Sequence, residues 1–221
     1  MDRIFPDSHV QGPAYQQWRN MTINDLLMEN RIIFIDMPLN SQLYMQYGGT
    51  FATDIIKKLL RLQYLKKDQD IHVYINCPGG SMGEILAVYD TLQYLSCDVA
   101  TYCVGVAYSG AALLLAAGTK GKRYALPHSK IMIHQPWGGV TGQAEDISIQ
   151  AEQILKDKHT MNELLAKHTG QPVDRIEQET ERDRYLTIAE AKEYGLVDEI
   201  LEPEKAAKVV AGQPIGGQPT G

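Results

Sequence analysis

Residues 99–118 read VATYCVGVAYSGAALLLAAG. The opening run Val99–Val104 is rich in β-branched and aromatic residues and predicts a strand. Gly105 to Gly110 predicts a turn, and the Ala/Leu-rich run from Ser109 predicts a buried helix that Gly118 ends. The stretch carries no charge, and about 20 residues suffice to span a bilayer. Thr101, Tyr102, Cys103, Gly105, Tyr108, Ser109 and Gly110 interrupt it, however, so strand, turn and helix is the better reading.

Outward from this stretch the same alternation repeats. Arg31–Ile35, Ile71–Ile75, Arg123–Leu126, Ile131–His134 and Leu196–Leu201 predict strands. Apolar stripes predict helices over Thr50–Lys66, Gly83–Leu95 and Ala144–Thr169, the last closed by Gly170. A shorter helix is expected within Pro172–Arg182. Thr22-Ile-Asn-Asp25 caps a short helix, and Thr187-Ile-Ala-Glu190 is a capping box opening a helix that stops at Gly195. Strands alternating with helices predict an α/β domain with a largely parallel sheet. The domain is expected over residues 21–201. Residues 1–20 lack periodicity and predict a mobile arm, and the Ala/Gly/Pro/Gln-rich segment 202–221 a poorly ordered tail.

The chain has 221 residues, a net charge of −6 and a pI of about 5.5. No basic surplus exists to neutralise phosphates, which argues against nucleic acid as a partner. The N-terminal residues hold no apolar segment of a secretory signal, and no membrane association is expected. Cys77, Cys97 and Cys103 form neither a disulfide framework nor a zinc signature. They predict buried thiols in a reducing, cytoplasmic setting.

Several residues could carry chemistry. Ser109 follows a strand and precedes a helix, where backbone N–H groups and the helix dipole favour a developing negative charge. That geometry suits a nucleophile with its oxyanion hole, although serine is also a common N-cap. Asn76-Cys-Pro-Gly-Gly80-Ser81 follows another strand, and its paired glycines let backbone N–H groups turn toward a ligand. A tight turn would explain them equally well. His134 ends a strand beside Gln135-Pro136, a suitable place for a general base. Asp183 lies in Glu181-Arg-Asp-Arg184, usually a solvated cluster. As the orienter of a histidine it would require at least partial burial.

The combination is more specific than its parts. The segments Ile75–Gly80, Ala107-Tyr-Ser109, Ile131–Pro136 and Glu181–Leu186, in this order, resemble the signatures of the Clp protease proteolytic subunit. Gly118–Arg123, Gly142-Gln-Ala144, Met161–Leu164 and Glu193–Asp198 extend the likeness over roughly residues 20–201. The resemblance implies a serine endopeptidase with Ser109 as nucleophile, His134 as general base and Asp183 as its orienter. The N–H groups of Gly80 and Gly110 match the family's oxyanion hole, where one donor contributes about 3–4 kcal/mol.

It further implies a crotonase-like superhelix of β-β-α units with a projecting long helix, matched here by Ala144–Thr169. Two stacked heptameric rings, a tetradecamer, would enclose the sites. An AAA+ unfoldase would deliver unfolded polypeptides using ATP, the peptidase itself needing no cofactor or metal. Cys77 replaces the family's usual Ser, Tyr108 and Gly110 replace Ala and Met, and Leu39–Asp70 is longer than usual. Gly110 predicts a looser main chain at the oxyanion hole.

Two other readings follow. One is a weakly active structural subunit of a mixed ring with a paralogous chain. The other is a crotonase-like acyl-CoA hydratase or isomerase, which would share the fold and the pair of N–H donors. The complete Ser, His and Asp set within its motifs favours the peptidase.

Overall fold

The computed structural model describes residues 21–40 and 51–202. The arm expected over 1–20, the tail beyond Glu202 and residues 41–50 of the longer stretch lie outside the described residues. Seven helices and seven strands occur among those described: α1 Ile23–Glu29, β1 Ile32–Ile35, α2 Phe51–Leu65, β2 Ile71–Cys77, α3 Met82–Tyr94, β3 Val99–Tyr108, α4 Gly110–Ala116, β4 Arg123–Ala125, β5 Lys130–Ile133, α5 Ala144–Thr169, α6 Val173–Thr180, β6 Arg184–Leu186, α7 Ile188–Tyr194 and β7 Glu199–Ile200. This is the mixed α/β architecture that the resemblance implies. Both capping boxes form, Thr22 with Asp25 and Thr187 with Glu190.

β3 organises the sheet. The strands β1-β2-β3-β4-β7 lie side by side and all pair in parallel. β4 pairs with the first half of β3 at Thr101–Cys103, whereas β5 pairs with its far end at Val106–Tyr108. β6 then adds antiparallel to β5. β3 is therefore longer than its sequence suggests, running through Gly105 instead of turning there. The reason is visible at Asn76. Its side-chain oxygen accepts from the Val106 N–H at 3.1 Å, replacing a ladder bond where the β2–β3 register shifts. A Cβ on Gly105 would lie 2.3 Å from that oxygen, so glycine here keeps the strand continuous beside the bulge.

The core lies between the sheet and its helices. Every residue of α4 is buried. Buried Arg31 donates to the carbonyls of Leu62, Lys66, Gln69 and Asp70, tying the end of α2 to the start of β2. Buried Arg123 pairs with Asp198 and donates to the carbonyls of Ala116 and His168, joining the ends of α4 and α5 to β4. Burial works against the Asp198 carboxylate, but the Arg123 guanidinium outweighs it and holds the carboxyl below its ordinary value.

The helix α5 is buried toward its C-terminal end, at Met161, Asn162 and Leu165. Its 26 residues extend about 39 Å at 1.5 Å per residue. The exposed part carries Ile147, Ile149 and Leu155. Cys77, Cys97 and Cys103 are buried free thiols. No helix among the described residues is long and apolar enough to cross a membrane.

His168 sits beside Tyr89, whose hydroxyl lies 2.9 Å from the ring Nε2. Burial, with Lys167 and Arg123 nearby, lowers its pKa from 6.5 to about 4. The unfolded chain therefore binds more protons between these two values, and His168 lowers stability as pH falls through that window. Urea midpoints measured from pH 7 down to 4 should show this slope, and His168→Gln should flatten it.

Candidate active site

Ser109 occupies the single residue between β3 and α4. Its backbone angles are φ 57° and ψ −129°, a left-handed conformation that a side chain adopts only under constraint. Two features impose it. The Ser109 N–H donates to the Met132 carbonyl of β5 at 2.9 Å, and α4 starts immediately afterwards in the core. The Ser109 side chain makes no capping bond to α4, so the N-cap role is unfilled. It points instead to His134, with 2.8 Å between Ser109 Oγ and His134 Nε2.

The other imidazole nitrogen, Nδ1, lies 2.9 Å from Asp183 Oδ1. A carboxylate only accepts, so the ring proton sits on Nδ1 and Nε2 is left to accept from Ser109 Oγ–H. Ser109, His134 and Asp183, spread over 75 residues of sequence (183 minus 109, plus one), thus form one continuous hydrogen-bonded line. The Asp183 side chain is 57% exposed and that of His134 21%. The carboxylate is therefore only partly covered, because Asp183 precedes the edge strand β6.

Sequence reading missed the residues that hold this carboxylate in place. Gln135 receives its position from two bonds: its N–H donates to the Thr180 carbonyl at 2.7 Å, and its side-chain amide to the Glu181 carbonyl at 3.0 Å. The residue after His134 thereby grips the segment leading to Asp183. Arg184, the residue after Asp183, pairs with Glu179 and stacks on the Tyr194 ring. Tyr185 makes an edge-to-face contact with Tyr108, linking β6 to the residue before Ser109. The adjacency of Gln135 to His134 was the one available signal, and its partners lie far away in sequence.

The glycine turn adjoins the serine. A Cβ on Gly79 would lie 2.8 Å from Ser109 Cβ and 3.3 Å from its Oγ. Ser109 N–H is committed to Met132, so it is not a donor to substrate. The N–H groups of Gly80 and Gly110 have no hydrogen-bond partner among the described residues. Gly110 begins α4, where the first N–H groups lack helical partners. Gly110 is buried and a Cβ there would lie 2.5 Å from Ile85 Cγ1, so Ile85 fills the space that a larger residue would take.

The remaining described histidines lie apart from this line. His72 bonds to the Tyr102 hydroxyl, His128 is exposed in a turn, and His159 pairs with Glu163 on α5. His9 lies outside the described residues.

A serine bonded to a histidine, itself bonded to a carboxylate, beside unpaired N–H groups can perform acyl transfer. The comparisons with known proteins agree with this class. Residues 15–204 match the Clp protease family, and the chain belongs to it. The chain is similar to the ATP-dependent Clp protease proteolytic subunit 1 of Rhodopirellula baltica, with 51% identity over 188 residues, covering 85% of this chain and 79% of that protein. The class is thus that of a protease.

Gly79 has φ +104° and abuts the serine. Gly79→Ala adds a strained backbone position, costing about 1–3 kcal/mol, and a clash with Ser109. We expect peptide hydrolysis to be lost with a smaller change in thermal stability, checked by parallel turnover and melting measurements.

Proposed function

We propose that this chain is a serine endopeptidase and the proteolytic subunit of an ATP-dependent Clp-type protease. The observation that carries the reading is the hydrogen-bonded line from Asp183 through His134 to Ser109, in a chain of that family. Ser109 Oγ attacks the scissile carbonyl while its proton passes to His134 Nε2. The tetrahedral oxyanion forms against the N–H groups of Gly80 and Gly110. Asp183 fixes the tautomer and stabilises the imidazolium. His134 then protonates the departing amine, leaving an acyl-enzyme on Ser109. Water, deprotonated by His134, attacks this ester; the proton returns to Ser109 Oγ as the acid product leaves.

In this reading residues 21–201 form the peptidase domain, and the chain assembles as two stacked heptameric rings in the cytoplasm. The projecting α5, with exposed Ile147, Ile149 and Leu155, supports an assembly that covers it. An AAA+ unfoldase feeds unfolded polypeptides to the chamber and consumes the ATP, and the peptidase works without a cofactor. Exposed Phe34 and half-buried Tyr74 and Tyr124, stacked on buried Tyr102 across β1 to β4, form an aromatic face that supports partner docking.

Ser109→Ala should abolish cleavage of a fluorogenic peptide by the assembled protein. Asp183→Asn should lower kcat by up to about 10⁴-fold, less if solvent partly replaces the exposed carboxylate. Undiminished cleavage by Ser109→Ala would overturn the reading.

A further inference from the structure

We propose that Cys77 is a positioning residue of the oxyanion turn, its thiol holding the Gly79-Gly80 backbone in the arrangement that presents the Gly80 N–H to substrate. The proposal rests on the peptidase reading above. Cys77 ends β2 and is fully buried. Its Sγ lies 3.2 Å from the Met37 carbonyl and 3.5 Å from the Gly79 carbonyl, and it accepts from the Gly79 N–H at 3.3 Å. One S–H proton serves one carbonyl at a time, and the Met37 oxygen is the nearer. The thiol therefore relays a bond from the Gly79 N–H to the segment that follows β1.

That segment grips the turn a second time. The Leu39 N–H donates to the Gly79 carbonyl at 2.9 Å, and the Ser81 N–H to the Leu39 carbonyl at 2.8 Å. These bonds bracket Gly80 as a parallel bridge to Leu39. In such a bridge the bracketed residue turns its own N–H and C=O away from the partner strand. The Gly80 N–H is thus directed away from Leu39 and stays unpaired among the described residues. The approach is close: a Cβ on Gly80 would lie 2.0 Å from the Leu39 oxygen.

Cys77 supplies what the bridge lacks. The bridge holds the Gly79 carbonyl, whereas among the described residues only the thiol accepts from the Gly79 N–H, and so ties down the peptide between Pro78 and Gly79. Burial pushes the thiol up, against the neighbouring Gly79 and Leu39 N–H groups, so the S–H remains a donor. Serine preserves both a donor and an acceptor, while alanine and valine remove both with opposite effects on packing.

The test compares wild type with Cys77→Ala, Cys77→Val and Cys77→Ser as assembled protein. Each is assayed for kcat and KM on a fluorogenic peptide, for inhibition by a peptide boronate, and for thermal midpoint. Ser109 Oγ adds to the trigonal boron, its proton passes to His134, and a boron-bound hydroxyl takes the oxyanion position. Misplacing that position costs up to about 100-fold. We expect Ala and Val to lower kcat by about 10- to 100-fold and weaken the boronate by the same factor, with KM within about threefold. Ser should keep both within about threefold.

Ala and Val variants that match wild type, or that shift the thermal midpoint without weakening the boronate, would overturn the role of Cys77 alone. If neither assembles, the serine variant decides: retained kcat supports the proposal and loss of kcat overturns it. Wild-type protein that neither cleaves the peptide nor binds the boronate would overturn the peptidase reading and this proposal with it.

Discussion

The structure turns on the backbone of Ser109. A ten-residue strand becomes a wholly buried helix within one residue, and Ser109 makes the passage in a positive-φ conformation. Its cost, about 1–3 kcal/mol, is offset by the core on both sides. The apolar side chains of α4 are buried, and the Ser109 N–H bond to Met132 fixes the strand end. The same constraint frees the side chain. A serine in an ordinary N-cap conformation would direct its hydroxyl into its own helix, whereas here the hydroxyl is presented to His134.

The rest of the site is assembled around that fixed point. His134 arrives because β5 pairs with the far end of β3, which places Tyr108 opposite Met132, two residues before the histidine. Asp183 arrives because β6 pairs with β5 and Gln135 grips Thr180 and Glu181. The glycine turn arrives from β2, whose bulge at Asn76 brings Cys77 opposite Ala107. Two neighbours of β3, β2 and β5, together with β6 beyond β5, thus deliver the other components of the site. A parallel sheet places such components at the carboxyl ends of its strands, and here β2, β3 and β5 all contribute from that end.

The general α/β plan was legible because apolar periodicity and capping chemistry act over a few residues. The helices α2, α3 and α5 and both capping boxes lie within a residue or two of their expected places. What escaped depends on distant partners. Gly105 reads as a turn locally and becomes a strand residue only because Asn76 lies against it. Arg184–Leu186 reads as the end of a charged cluster and becomes β6 only by pairing with β5. The roles of Gln135 and Cys77 rest on carbonyls that lie up to 46 residues away. Ser109 was legible as a helix-start serine, but the angles that separate a cap from a presented hydroxyl are a property of the packed chain.

The central claim is that Ser109 is activated by its line to His134 and Asp183. The most direct measurement is labelling of the purified, assembled protein with a fluorophosphonate, followed by mapping of the adduct. The account predicts one stoichiometric adduct on Ser109, absent in Ser109→Ala and slowed in His134→Ala, where the base is removed. Labelling of other serines at the same rate, or an unlabelled Ser109 in a verified ring, would contradict it.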